Sequence, residues 1–518
     1  MVYQTRQHGA ANAAPPAMGM ETAELKTRTL YAVLWAMVRI GASNVLGFVV
    51  FLVLARLLSP HDFGVFALAI LVVDLAKVIA TAGLGDAVTR DGSGDEILAD
   101  TAFWTGVGVS CVAGGLVWLL APLYARLIGQ PELTAALSYL ALLVPLAALG
   151  NIHTARKLRE FGHKSLAVRT VACSTLGGAA AVAAAMAGLG VWSLIIQAAI
   201  VEIVGTIVAW QSFPWWPGLR FDRRRLARVS VFSLTMLLTQ LAGTLITRIQ
   251  DVVIGRYISV DAVGTYRVAW RMIDLIAQTT VQPVVSVAFV TLAHLQHDRE
   301  RFRGALLRML GLAALLTLPA ITGFGALAGD IIPVLFGAKW ASSAAIASIL
   351  SLMAVPFCIN LFLGSALAAM GRPASLAKSI SLQTLAALVL ALVSAPFGLA
   401  WVAAAYVLRA YLMLPYHLVL FNRDTGADAK SLLRSVAPPF VAAEIMAAVL
   451  WFGAPPMHHI LGHGIAFVAV AVLLGGLVFA GVLLLGAQAY LRTNLGFLLL
   501  MWRRQRAVLP THAEASRP

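Results

Sequence analysis

The stretch LARLLSPHDFGVFALAILVVDLAKVIATAGLGDAVTR (54–90) decides how the chain is read. It closes one apolar run, turns at Ser59-Pro60, and enters a second run over 63–83 whose only charges are Asp74 and Lys77. About 20 predominantly apolar residues suffice for a helix to cross a bilayer. The stretch therefore predicts two antiparallel spans joined by a tight turn.

The rest of the chain repeats this pattern. Of 518 residues, 60% are hydrophobic and 12% charged, far from the roughly 25% charged residues of a soluble domain. A soluble enzyme and a disordered scaffold are both excluded. Apolar runs bounded by Gly, Pro or charge predict fourteen spans, from 31–57 to 461–490. Three carry internal charges: 63–83, 228–256 and 264–290. The fold class is all-α and polytopic. No compact apolar leader is expected in the first 25 residues. Cys111, Cys173 and Cys358 lie in apolar stretches and form neither a disulfide framework nor a metal spacing.

Charge fixes the orientation. With the N-terminus in the cytoplasm, inside segments hold 28 of the 38 Lys and Arg residues and outside segments hold 4. That bias predicts both termini inside. It also accounts for the net charge of +15 without nucleic acid. Outside loops are short, the longest near 329–341.

The opening hairpin recurs. ARLLSPHDFGVFALA (55–69) and GRYISVDAVGTYRVA (255–269) share Arg56/Arg256, Ser59/Ser259, Gly64/Gly264 and Ala69/Ala269. Val144-Pro145 is echoed by Val355-Pro356, and Gly190-Val191-Trp192 by Gly398 to Trp401. Such repeats predict two lobes of six helices. The expected organisation is a flexible tail (1–26), a first lobe (27–212), a linker (213–227), a second lobe (228–421), two extra spans (434–490) and a second tail (491–518).

The stretch 54–90, together with GLGVWSLIIQ (188–197) and DVVIGRYISVDAVGTYRVAWRMIDLIAQ (251–278), resembles bacterial polysaccharide and oligosaccharide flippases of the Wzx type. These belong to the multidrug/oligosaccharidyl-lipid/polysaccharide superfamily, and the resemblance runs from about residue 30 to 490. It implies translocation of an undecaprenyl-diphosphate-linked glycan across the bacterial inner membrane, for lipopolysaccharide, capsule or exopolysaccharide. It further implies polymerase and chain-length proteins of the same pathway as partners, and no cofactor. A drug or cation antiporter and a peptidoglycan-precursor flippase are the neighbouring readings. A membrane glycosyltransferase, polymerase or ligase would need a sizeable outer loop or an acidic metal motif, and the sequence has neither.

Charges inside spans are the candidate site residues, because each costs roughly 2.5–3.5 kcal/mol to insert and must face a cavity or a partner. Arg39, Arg248, Arg271, Arg267, Lys77 and Arg409 are candidates for binding the diphosphate, since guanidinium matches phosphate oxygens bidentately. Asp74, Asp274 and Glu202 are candidates for carrying a coupling H⁺ or Na⁺; Glu444 is a weaker one. A second reading stays open. Arg248/Asp251, Arg271/Asp274 and Asp74/Lys77 are each three apart and can neutralise one another on one helix face, while Arg267 can snorkel to the nearer surface. Pro145, Pro283, Pro319, Pro356 and Pro415 predict kinks. The stretch PWWPGLRFDRRR (214–225) reads as an interfacial anchor. His458, His459 and His463 cluster in an outer loop, but zinc would want further ligands, so no metal is expected.

Overall fold

The structure, a computed structural model, describes residues 41, 43–81, 83–90, 95–159, 163–492 and 494. The expected tail 1–26, Arg39 and most of the expected tail 491–518 lie outside the described residues. Among the described residues every regular element is helical. The helices are α1 (Ser43–Leu57), α2 (Pro60–Thr81), α3 (Leu84–Arg90), α4 (Glu96–Ile128), α5 (Glu132–Ala141), α6 (Leu143–Arg159), α7 (His163–Met186), α8 (Val191–Ser212) and α9 (Arg223–Tyr257). They continue with α10 (Val260–Thr280), α11 (Gln282–His294), α12 (Arg299–Phe336), α13 (Ala341–Ser351), α14 (Ala354–Ala369), α15 (Pro373–Ser394), α16 (Leu399–Thr425), α17 (Ala429–Leu461) and α18 (Ile465–Gly486).

Ten stretches are long and apolar enough to cross a membrane, and twelve if each of two bent pairs is one span. α1, described from Ser43, and the arginine-bearing α9 stand where the first and seventh spans are expected. The count of fourteen rests on these two helices, which length and hydropathy do not select.

The repeated hairpin shows why its residues recur. Ser59 caps α2 through a reciprocal box: Asp62 N–H donates to Ser59 Oγ (3.2 Å), and Ser59 N–H donates to Asp62 Oδ2 (2.9 Å). Ser259 caps α10 at the matching position by the single bond that it accepts from Ala262 N–H at 3.1 Å, without the reciprocal half. One turn further on, the two helices cross. A Cβ on Gly64 would stand 2.0 Å from the Val260 carbonyl oxygen, and one on Gly264 would stand 1.9 Å from that of Pro60. Repeat-related residues thus contact each other reciprocally, and only hydrogen fits between the backbones. Small residues serve this purpose wherever membrane helices approach closely.

Further bonds tie this end together. Arg56 Nε and Nη2 donate to the carbonyls of Leu335 and Val334, each at 2.7 Å. Lys339 Nζ donates to Leu58 O at 2.6 Å, and Trp340 Nε1 to Ala55 O at 2.7 Å. His61 Nδ1 lies 2.8 Å from Asp261 Oδ1. Phe51, Phe63, Phe336 and Trp340 pack edge to face beneath these bonds.

Several spans are broken, which the run of apolar residues does not show. α10 and α11 bend by 46° beside Pro283, and α13 and α14 by 62° ahead of Pro356. Pro145 and Pro356 both occupy the third residue of the helix that follows a break. There the missing N–H has no intrahelical partner to lose. The polar stretch that follows α2 holds α3 and the start of α4, which Asp95 caps by accepting from Ile97 N–H at 3.0 Å. The expected outer loop 329–341 is also largely helical, because α12 continues to Phe336. The 214–225 stretch is pinned to α4: Gly218 N–H donates to Asp100 Oδ1 (3.0 Å) and Trp104 Nε1 to Gly218 O (2.9 Å).

Gly64→Ala and Gly264→Ala are each expected to destabilise the protein by about 1–3 kcal/mol, the usual cost of overpacking. The melting midpoint of each purified variant in detergent, compared with the native protein, checks this. An unchanged midpoint would contradict the close crossing.

Candidate functional site: a charged cavity among α1, α2, α8, α9 and α10

Beneath the crossing lies a cavity of about 520 Å³. α1 contributes Gly47 and Phe51, α2 contributes Phe66, α8 contributes Gln197, and α9 contributes Thr247 and Arg248. Arg267, Trp270, Arg271 and Asp274 come from α10. A second cavity of about 510 Å³ lies between α2 and α9, lined by Asp74, Lys77, Gln240, Thr244, Thr247 and Arg248. Thr247 and Arg248 border both.

The structure therefore brings Arg248, Arg267 and Arg271 to one wall, 23 residues apart in sequence at most. Helix geometry accounts for the set. Arg267, Arg271 and Asp274 lie at four- and three-residue steps, on one face of α10. The Ser259 turn folds that face back along α9.

The partners differ from those that local spacing offers. Asp251, fully buried, is held by Arg267 of α10 and not by Arg248 of its own helix. Arg267 Nε donates to both Asp251 oxygens at 2.7 Å, Nη2 also reaches Oδ2, and Nη2 donates to Thr247 O at 3.0 Å. Arg267, 13% exposed, does not snorkel. Lys77 pairs with Glu202 of α8 and not with Asp74. Of the three closely spaced pairs, Arg271 and Asp274 do pair along one helix, loosely at 3.3 Å, with side chains 31% and 40% exposed. Gln278 Nε2 also donates to Asp274 Oδ2 at 2.7 Å. α1 lies against Arg271: a Cβ on Gly47 would be 3.6 Å from its Nη2.

Two charges are left over. Among the described residues neither Arg248 nor Asp74 has an ion pair within 4 Å, and the two line the same second cavity. Among the described residues, four basic groups (Lys77, Arg248, Arg267, Arg271) line the two cavities, and Asp74 and Asp274 line them beside the partners Glu202 and the buried Asp251. Among the described residues these charges match in number, with one arginine and one aspartate outside any ion pair.

Arg409 stands apart from this cavity. It is buried in α16 over the Tyr406 ring, 4.2 Å from its centroid, while Ser379 of α15 bonds to His417 of α16 and to Gln383 of its own helix. Glu444 lines a shallow recess between α12, α13 and α17. Sequence reasoning missed Phe51, Gln197 and Trp270 as lining residues, because nothing local separates them from core.

The run of apolar helices and the charged cavity among them are those of a multi-pass membrane protein. Residues 53–345 match the polysaccharide biosynthesis protein family, and the chain belongs to it. It is 27% identical over 477 residues to the succinoglycan biosynthesis transport protein ExoT of Rhizobium meliloti, covering 88% of this chain and 93% of that one. It is 22% identical over 355 residues to the lipopolysaccharide biosynthesis protein WzxC of Escherichia coli, covering 67% and 71%. Among solved structures it is similar to the lipid II flippase MurJ, with a TM-score of 0.72, 14% identity, and 89% and 99% coverage. It also resembles a MATE-family multidrug transporter, with a TM-score of 0.59, 16% identity, and 76% and 98% coverage. The fold is thus that of the superfamily to which the sequence resemblance pointed.

Removing Asp251 leaves Arg267 buried without its counter-ion, a loss of about 3–5 kcal/mol for a buried pair. Asp251→Ala is expected to melt far below the native protein, while Arg248→Ala, which breaks no ion pair, melts within about 1 kcal/mol of it. Melting both in the same detergent compares them. Equal destabilisation would refute the assignment of partners.

Proposed function

We propose that the protein flips an undecaprenyl-diphosphate-linked oligosaccharide across the bacterial inner membrane for lipopolysaccharide, capsule or exopolysaccharide assembly. The observation that carries this reading is the cavity with Arg248 on its wall, held by no carboxylate. A lipid diphosphate leaving water needs charge-assisted donors to replace its hydration, and Arg248 offers them without first breaking a bond. Arg271 joins it by releasing the loose, part-exposed Asp274. Arg267 stays on Asp251 and serves to position α10 against α9. The relatives' roles in succinoglycan transport and lipopolysaccharide biosynthesis support the substrate class.

Transport proceeds by alternating access between two six-helix lobes, 27–212 and 228–421, with spans 434–490 attached, fourteen spans in all and both termini cytoplasmic. The glycine crossing of α2 on α10 closes the outer end. Asp74, which alone among the acids lining the two cavities has no ion pair in the described residues, carries the coupling H⁺ or Na⁺ in preference to Glu202 and Asp274, which hold Lys77 and Arg271. Polymerase and chain-length proteins receive the product. The protein performs no covalent chemistry.

The test is leaflet-resolved transport of labelled undecaprenyl-diphosphate oligosaccharide in liposomes. Native protein is expected to flip it. Arg248→Ala is expected to lose about 10–100-fold in rate, the worth of a charge-assisted hydrogen bond of about 1.5–3 kcal/mol, with Arg248→Lys in between. A fully active alanine variant removes Arg248 from the path; a folded native protein that moves no lipid-linked glycan under any imposed gradient refutes the function.

In the same liposomes, Asp74→Asn is expected to abolish the response to an imposed H⁺ or Na⁺ gradient while leaving downhill flipping within a few-fold of native. An unchanged gradient response would move the coupling role elsewhere.

A further inference from the structure

Two of the three histidines of the α17–α18 turn, His458 and His463, share a partner that the sequence places 128 and 133 residues away. Asp330, near the end of α12, lies with Oδ1 2.9 Å from His458 Nε2 and 3.4 Å from His463 Nδ1. All three donor atoms are within 4.8 Å of one another. A tetrahedral zinc ion with bonds of about 2.0–2.1 Å requires donors about 3.3 Å apart, and the two observed separations bracket that value.

The backbone builds the cluster. α17 ends at Leu461, and Gly462, at φ +68°, reverses the chain so that His463 returns over His458. Any other residue there would be strained. The two imidazole rings lie 4.0 Å apart between centroids, and His458 rests at 4.1 Å on the ring of Phe467, which is fully buried. Beneath it Leu327, Met446, Leu450 and Ala471 form a small apolar cluster of their own. Asp330 and His458 are 15% and 21% exposed, whereas His463 is 73% exposed and open to an incoming ion. Two well-held donors, one accessible donor and an apolar floor suit a cation that prefers imidazole and carboxylate ligands.

We propose that Asp330, His458 and His463 form a divalent transition-metal site of the zinc type, with water as the fourth ligand, joining the α17–α18 hairpin to α12. The bonds seen between Asp330 and the histidines are those of the metal-free form. On binding, each imidazole takes the tautomer with its proton on the other ring nitrogen, or releases that proton to water if it was doubly protonated, so that His458 Nε2 and His463 Nδ1 present lone pairs to the metal. His459, adjacent in sequence but exposed, is no ligand.

The test uses the full chain, purified in detergent without a polyhistidine tag, stripped with EDTA and dialysed against Zn²⁺ or Co²⁺. Native protein is expected to retain one zinc per chain by elemental analysis, and its cobalt form to show the intense visible bands of tetrahedral coordination. His463→Ala, on an exposed turn and expected to remain monodisperse, should weaken binding at least 10-fold. Asp330→Asn and His458→Ala should do the same, and His459→Ala should leave binding unchanged. Native protein that retains no zinc, or binding undiminished in His463→Ala, overturns the site.

Discussion

An ionised side chain in hydrocarbon must be matched by another, and in this protein the match that organises the rest is Arg267 with Asp251. The pair joins α10 to α9 with two oxygens on one guanidinium, and the same guanidinium reaches Thr247 O. A buried pair of this kind contributes little net stability, because desolvation offsets its attraction; its strength lies in the penalty for breaking it. It therefore fixes register more than it adds energy. With Asp251 claimed, Arg248, one turn away, is left facing open space. With Glu202 claimed by Lys77, Asp74 is left likewise. The two charges without an ion pair are thus left over by the satisfaction of their neighbours.

The second constraint is backbone contact. α2 and α10 approach so closely at Gly64 and Gly264 that no side chain fits. Each helix is started by a serine cap five residues earlier, so the crossing point is set by chain-local chemistry in both copies. Apolar side chains give no net drive for association within lipid, so helix pairs there depend on close packing and on hydrogen bonds. This end has both: the glycine crossing, and the Arg56, Lys339 and Trp340 bonds to carbonyls.

How much of this was legible follows from the range of each interaction. The spans and their turns could be read because insertion depends on local apolar length. The repeat could be read because Ser59/Ser259 and Gly64/Gly264 do the same local work in both copies. Membership of the set Arg248, Arg267 and Arg271 was legible too, since two adjoining helices carry it. The partners were not. A three-residue spacing made Arg248–Asp251 and Asp74–Lys77 feasible, but a neighbouring helix supplied a better-placed counter-ion in each case. The breaks near residues 281 and 352 were hidden inside runs that are apolar throughout. Asp330 had no local signal at all, lying 128 residues from His458.

The difference between Arg271 and Arg267 shows how one helix face divides its labour. Both side chains point to the same cavity, one turn apart, and both have an acidic partner. Arg267 meets a carboxylate that is buried and gripped through several bonds; to leave it would strand a charge in the core. Arg271 meets a part-exposed carboxylate at 3.3 Å that is already shared with Gln278. If Arg271 departs, Asp274 keeps a donor and stays hydrated. On the proposed function, a phosphate competing for these two arginines faces a high barrier at one and a low barrier at the other. The same reasoning ranks the carboxylates: a cation displaces Lys77 from Glu202 only by breaking a close pair, whereas Asp74 requires no displacement.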